Sequence, residues 1–214
     1  MLLHVGCGMQ TGPSWLNVDA SPTLRFERLP VIGKLYTRNA TRFPADARYG
    51  DITREPIVAP GSADAVYCSH VLEHMPLAQM RAALGNILIA LKPGGRFRVI
   101  VPDLKSRCQA YMDSDSPSAA HDFLRQTGLG RERAAGGSLA RRLVSALGNS
   151  EHQWMYDEHA MRLELEQAGF AAVRRCAFGD SDLEAFAEVE DPTRFVDPVS
   201  GAEVALECRK PSGP

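Results

Sequence analysis

The densest grouping of chemically capable residues is SHVLEH, Ser69 to His74. His70, Glu73 and His74 match H-x-x-E-H, the pattern in which two histidines hold zinc and a glutamate serves a metallopeptidase. That chemistry needs both imidazoles on one helical face, four residues apart. Pro76 opposes such a helix, because its ring clashes with the Leu72 carbonyl and pushes Met75 out of the α region. No downstream helix offers a third ligand beyond generic glutamates such as Glu164. The same letters also suit a loop leaving a buried strand, with no metal, so a zinc peptidase is kept only as a remote alternative. Elsewhere the histidines are scattered and no carboxylates cluster at ligand spacing, so no metal is expected.

A second grouping sits near the start. HVGCGMQTG places Gly6 and Gly8 directly after an apolar run, where glycines let the backbone turn tightly and approach a ligand. A dinucleotide fingerprint asks for a glycine at position 11 and an acid about 20 residues on. Here position 11 is Thr11, and Asp19 follows Gly6 by only thirteen residues. No full crossover helix fits between loop and second strand, which disfavours a pyrophosphate on a helix terminus. A nucleoside without a pyrophosphate fits better. Asp19 is placed to accept both ribose hydroxyls, and Asp51 with Ile52 to accept an exocyclic amine and cover an adenine ring. An aspartate at a strand end is by itself often a turn residue; the order along the chain favours the ligand.

These residues need a scaffold. Apolar runs at 2–5, 15–20, 47–52, 63–69 and 95–102 predict strands. Leu77, Met80, Leu84, Ile87, Leu88 and Leu91 recur at three- and four-residue steps and predict a helix over 77–91. Pro76 suits its first position, and KPGG stops it. From Lys105 to Ser150 the chain is rich in Ser, Ala, Gly and Arg, with helices expected at 121–127 and 138–147. Asp157 reads as the N-cap of a further helix with Met161, Leu165 and Ala168 on one face, closed by Gly169. Late strands are expected at 171–178 and 202–209. The alternation predicts a doubly wound, mostly parallel α/β sheet. Ligands of such sheets sit beyond the carboxyl ends of the strands, here Gly6–Gly8, Asp19, Asp51, Ser69–His70 and Asp103.

Composition narrows the classes. A chain of 214 residues suits one domain, and 44% hydrophobic with 23% charged residues is ordinary for a globular one. A formal net charge of -2 gives no reason to expect nucleic acid or an anionic membrane as partner, and the arginine-rich stretch 125–142 reads as a solvated helix face. Cys7, Cys68, Cys108, Cys176 and Cys208 are odd in number and form no C-x-x-C pair, which suits reduced thiols in a cytoplasm. No signal peptide is read at the start, and no apolar run reaches the ~20 residues of a membrane span. A cytoplasmic location is the expectation; nothing bears on oligomeric state.

The segments LHVGCG, LNVDA, GDIT, SADAVYCSHVLEHMP, LKPGGRFRVIVPDL and QWMYDEHAMRLELEQAGF cover most of 2–103 and 152–170. Together they resemble the class I S-adenosylmethionine-dependent methyltransferases, in their type-11-like branch. The resemblance implies a seven-stranded Rossmann-like sheet whose last strand is antiparallel. It implies one domain over 1–214, with a variable helical lid at about 105–150. It implies S-adenosyl-L-methionine as cofactor and S-adenosyl-L-homocysteine as product. Gly6, Cys7 and Gly8 would line the methionine part, Asp19 would hold the ribose, Asp51 and Ile52 would flank adenine, and Ser69 and His70 would sit near the sulfonium. His4 joins this cofactor set, although the family usually has an acidic residue there and a third glycine where Gln10 stands.

The implied reaction is an in-line methyl transfer to an oxygen or nitrogen of a small-molecule, lipid or saccharide acceptor. His70 is the first candidate for a base and Asp103 the second, with an N-cap role for Asp103 as its alternative. Glu73 and His74 are expected to close the loop by hydrogen bonds. His152, Trp154 and Tyr156 are candidates for the acceptor wall, or else simply core aromatics leading into the following helix. A cofactor-binding partner or regulator that has lost catalysis is the alternative function.

Overall fold

The computed structural model describes residues 1–31, 33, 41–130 and 151–213. Strands β1 (Leu2–Val5), β2 (Trp15–Asp19), β3 (Arg48–Tyr49), β4 (Ala63–Ser69), β5 (Leu91–Val101), β6 (Ala171–Arg175) and β9 (Val204–Arg209) form one sheet in the order β3-β2-β1-β4-β5-β9-β6. The pairings from β3 through β5 are parallel. β9, the last strand in sequence, is inserted between β5 and β6 and runs antiparallel to both, as expected, so this end of the sheet carries two antiparallel pairings. A separate ribbon, β7 (Val196–Asp197) with β8 (Gly201–Ala202), has no counterpart in the sequence expectations.

The central strands are apolar on both faces because both faces are covered. On one face, helices α2 (Leu77–Ala90) and α5 (Glu158–Gln167) press Met80, Leu84, Ile87, Met161 and Leu165 against Leu3, Val66, Phe97, Val99 and Leu206. Asp157 caps α5 as its sequence position suggested, accepting from the Ala160 amide at 2.8 Å, and Gly169 ends it at φ +100°. Pro76 stands at the N-cap of α2, one position before its expected place. β5 starts at Leu91, immediately after that helix, so KPGG belongs to the strand beside a register shift.

The other face has a different cover. The crossover between β1 and β2 is too short for a helix, and the space is filled by a segment far along the chain. Phe186, Val189 and Phe195, from 183–195, pack on Trp15, Tyr67 and Ile100. The Trp15 indole donates to the Ala185 carbonyl at 3.0 Å. Arg98, wholly buried on β5, holds the segment in place. It pairs with Glu190 at 2.6 Å, Glu207 at 3.0 Å and Asp180 at 2.8 Å.

Two short helices, α3 (Leu104–Met112) and α4 (Ala119–Gln126), follow β5. α1 (Pro22–Glu27) lies after β2, where Leu24 packs with Cys7, Phe43 and Ala47. The helix expected at 138–147 and most of the arginine-rich stretch lie outside the described residues. β3 is only two residues long, against the six of 47–52. No helix among the described residues is long and apolar enough to cross a membrane.

Candidate active site

The carboxyl ends of β1 through β4 open into a cavity of about 810 Å³. All nine residues expected on the cofactor side line it: His4, Gly6, Cys7, Gly8, Asp19, Asp51, Ile52, Ser69 and His70. The loop after β1 folds back over β2, with the Gly6 and Cys7 amides donating to the Val18 carbonyl at 2.8 and 3.0 Å. Gly6 has φ +70°, and a Cβ there would lie 2.2 Å from Val71 Cγ2. Only glycine meets both the conformation and the contact.

Asp19 organises the loop as well as facing the cavity. Its Oδ2 accepts from the Gly8 amide at 3.0 Å and its Oδ1 from the Ser21 amide at 2.7 Å. Each carboxylate oxygen keeps a further lone pair for a ligand hydroxyl. Asp51 Oδ1 accepts from the Thr53 amide and hydroxyl at 3.0 and 2.6 Å, while its Oδ2 faces Arg54 Nε at 3.0 Å. Ile52 beside it is buried.

His4 stands where the family usually carries an acid. Its Nδ1 donates to the Asn17 amide oxygen at 3.3 Å, and its ring lies 5.2 Å from Tyr67. Burial lowers its pKa to about 4, so the imidazole is neutral. The Cys7 thiol is pushed up to about 12 by burial, with Asp19 and Asp46 adding to the shift, so it too is uncharged.

His70 follows β4 with φ +54°, a strained conformation for a side-chain-bearing residue. Its Nε2 lies 3.0 Å from the Arg194 carbonyl and therefore donates, and its Nδ1 lies 3.5 Å from Glu73 Oε1. Burial alone would lower its pKa; the Glu73 carboxylate outweighs that and raises it. Both ring nitrogens are turned onto the protein. Leu72–His74 is a single 3-10 turn. His70 and His74 thus share no helical face, and the metallopeptidase arrangement is absent.

Other expected site residues fall elsewhere. Asp103 does not line the cavity; it caps α3, accepting from the Lys105 amide at 2.9 Å and the Ser106 hydroxyl at 2.6 Å. His152, Trp154 and Tyr156 are also absent from its lining and occupy three different settings. Tyr156 is buried in the main core, Trp154 is 46% exposed, and His152 Nδ1 lies 2.8 Å from the Thr127 carbonyl. Conversely, Asp191 and Arg194 of the 183–195 segment line the cavity, as does Gln10, whose amide donates to the Val189 carbonyl at 3.0 Å. No local motif marks Asp191 or Arg194; they reach the site only because their segment covers the short crossover.

A parallel sheet closed by an antiparallel β9, with a glycine loop and an acid at successive strand ends, defines the class I S-adenosylmethionine-dependent methyltransferase fold. A family model described as a methyltransferase domain matches residues 4–175, and the chain belongs to that family. It is a methyltransferase whose cofactor is S-adenosylmethionine. A search of curated proteins returns no match.

Among solved structures, one similar chain comes from the structure described as the complex between the Haloferax volcanii Trm112 methyltransferase activator and the putative methyltransferase. It shows a TM-score of 0.52 at 15% identity, over 100% of this chain and 82% of that one. A SAM-dependent methyltransferase from Methanosarcina mazei gives 0.51 at 14%, over 99% and 92%. The CurJ carbon methyltransferase gives 0.51 at 13%, over 99% of this chain and 48% of that one, so this chain spans about half its length. At these identities the likeness is one of fold.

Proposed function

We propose that this methyltransferase acts on an oxygen or nitrogen of a small-molecule, lipid or saccharide acceptor, in the cavity at the ends of β1 to β4. The convergence of nine strand-end residues on one cavity carries this reading. Its volume lies within the roughly 300–1,000 Å³ of ligand pockets. The bare Gly6 and the two-sided Asp19 carboxylate suit an adenosyl ligand. In this proposal Gly6, Cys7 and Gly8 border the methionine part, Asp19 accepts the ribose hydroxyls, Asp51 and Ile52 flank the adenine, and Ser69 and His70 border the sulfonium. Neutral His4 provides shape rather than a counter-charge for the amino group.

The bound sulfonium supplies an activated methyl group, and the protein's task is alignment, which is worth ~7–11 kcal/mol for well-oriented groups. His70 acts in this proposal as a wall whose orientation is set by Arg194 and Glu73, rather than as a base with a ring nitrogen aimed at the acceptor. Asp103, spent on its helix cap, takes no part. In this proposal 1–214 is one domain; residues 131–150 of the lid expected at about 105–150 lie outside the described residues.

The test is methyl transfer from radiolabelled S-adenosylmethionine to fractionated cell extract, paired with calorimetry of S-adenosylhomocysteine. Uptake with label in a small-molecule, lipid or saccharide fraction supports the reading. Uptake without any transfer favours the inactive binding partner, and absence of uptake overturns the site assignment.

A further inference from the structure

We propose that Glu73, His74 and His152 form a binding site for a divalent transition-metal ion, with zinc the best match to the donor set. One ligand atom from each residue lies within 4.8 Å of the others, although His152 is far along the chain from the other two. The Glu73 carboxylate is 1% exposed; its Oε2 receives no hydrogen bond, and its Oε1 has only His70 Nδ1, at a long 3.5 Å. A carboxylate removed from water without donors is strongly unfavourable unless a cation compensates it.

The surrounding imidazoles are oriented as metal ligands rather than as donors. His74 Nδ1 lies 3.1 Å from the Glu151 carbonyl, and His152 Nδ1 lies 2.8 Å from the Thr127 carbonyl. A carbonyl only accepts, so both Nδ1 atoms carry hydrogen, and Nε2 is the ring nitrogen that each histidine can offer to a metal. Metal-bound histidines are oriented in this way, with the far N–H on a carbonyl fixing the tautomer. His74 Nε2 lies 3.9 Å from Glu73 Oε1. The two rings lie edge to face at 4.9 Å. His70 Nδ1, 3.5 Å from the same Oε1, supplies one proton at most and leaves Oε2 without a partner.

Two imidazoles and one carboxylate are the protein ligands of open zinc sites, which keep a fourth position for water or another group. Ligands at about 2.0–2.1 Å on a tetrahedral ion stand roughly 3.4 Å apart, so a small contraction of the cluster admits the ion. The ligands differ from those of the H-x-x-E-H pattern: His152 replaces His70, and Glu73 ligates. A bound ion would tie the loop after β4 to residues 151–154, reinforcing the bonds from the Gln153 amide to the Glu73 carbonyl at 2.7 Å and from Gln153 Nε2 to the His74 carbonyl at 2.9 Å. Since His74 also lines the cavity, the ion would brace one wall of it.

The test does not depend on methyl transfer. Chelator-treated protein is titrated with Zn²⁺ alone by calorimetry, bound zinc is counted by atomic emission after dialysis, and the thermal midpoint is followed. One zinc per chain and a raised midpoint are expected. His152→Ala and His74→Ala should each weaken uptake by about 100-fold or more, since loss of supporting partners alone costs 10–100-fold. His159→Ala, at an exposed histidine outside the cluster, should change nothing. Should His74→Ala fail to fold, half-buried His152 carries the test. Absence of stoichiometric zinc, or uptake undiminished in His152→Ala, overturns the site.

Discussion

Gly6 and Val71 touch so closely that the loop after β1 and the loop after β4 form one surface. A Cβ on Gly6 would stand 2.2 Å from Val71 Cγ2, while one on Gly8 would meet nothing within 4 Å. Both glycines have positive φ. Gly6→Ala therefore adds overpacking to backbone strain and should cost about 3 kcal/mol or more of stability. Gly8→Ala should cost only the left-handed strain, roughly 1–2 kcal/mol. Urea unfolding of the two variants checks the difference; equal losses would contradict the contact.

Asp19 holds the Gly8 and Ser21 amides while facing the cavity. Hydrogen bonds to a charged group are each worth about 1.5–3 kcal/mol. Asp19→Ala should weaken S-adenosylhomocysteine uptake on the order of 100-fold, measured by calorimetry. Asp19→Asn keeps one acceptor oxygen and should fall between variant and parent.

Buried His4 predicts a pH signature in stability. Its pKa is about 4 in the folded chain, against the ordinary 6.5 of a histidine. Between those values the unfolded chain binds the proton that the folded chain refuses, so stability rises with pH there. The contribution is complete above about pH 6.5 and lost as the pH falls toward 4. The slope is about 1.4 kcal/mol per pH unit, and the total about 3 kcal/mol. Denaturant unfolding across this range, compared with His4→Gln, should show the variant lacking that part of the slope.

Arg98 is the clamp of the 183–195 segment. Arg98→Met leaves Glu190 buried without its cation, while Glu207 keeps Arg174 at 2.9 Å; the loss should cost about 3–5 kcal/mol. The segment should then loosen, carrying Asp191 and Arg194 away from the cavity. Limited proteolysis should show faster cleavage within 183–195 than in the parent. A variant of unchanged stability and cleavage rate would remove the clamp from the account.

Strand ends were the most legible part of the molecule. Gly6, Asp19, Asp51 and Ser69 stand at the ends of short apolar runs bounded by turn residues, and all reach the cavity. The Asp157 cap and the apolar face of α2 were equally plain, because caps and helical periodicity involve neighbours within a few residues. The aromatic group at 152–156 left two readings open, an acceptor wall or core aromatics leading into the helix. Spacing along an irregular segment says nothing about facing direction, and Tyr156 turned into the core while Trp154 turned outward. Asp103 shows the opposite balance: its local role as a cap prevailed over its position at a strand end.

From the order of residues alone came the alternation of strands and helices, the family, the cofactor and one side of the pocket. These follow from periodicity, caps and turns, whose energetics are local. Tertiary structure alone decided that 183–195 replaces the missing crossover helix, that Arg98 anchors it, and that His152 meets Glu73. Those relationships join residues about 80 or more positions apart, and they arise from burying apolar faces and from compensating charges that burial removes from water.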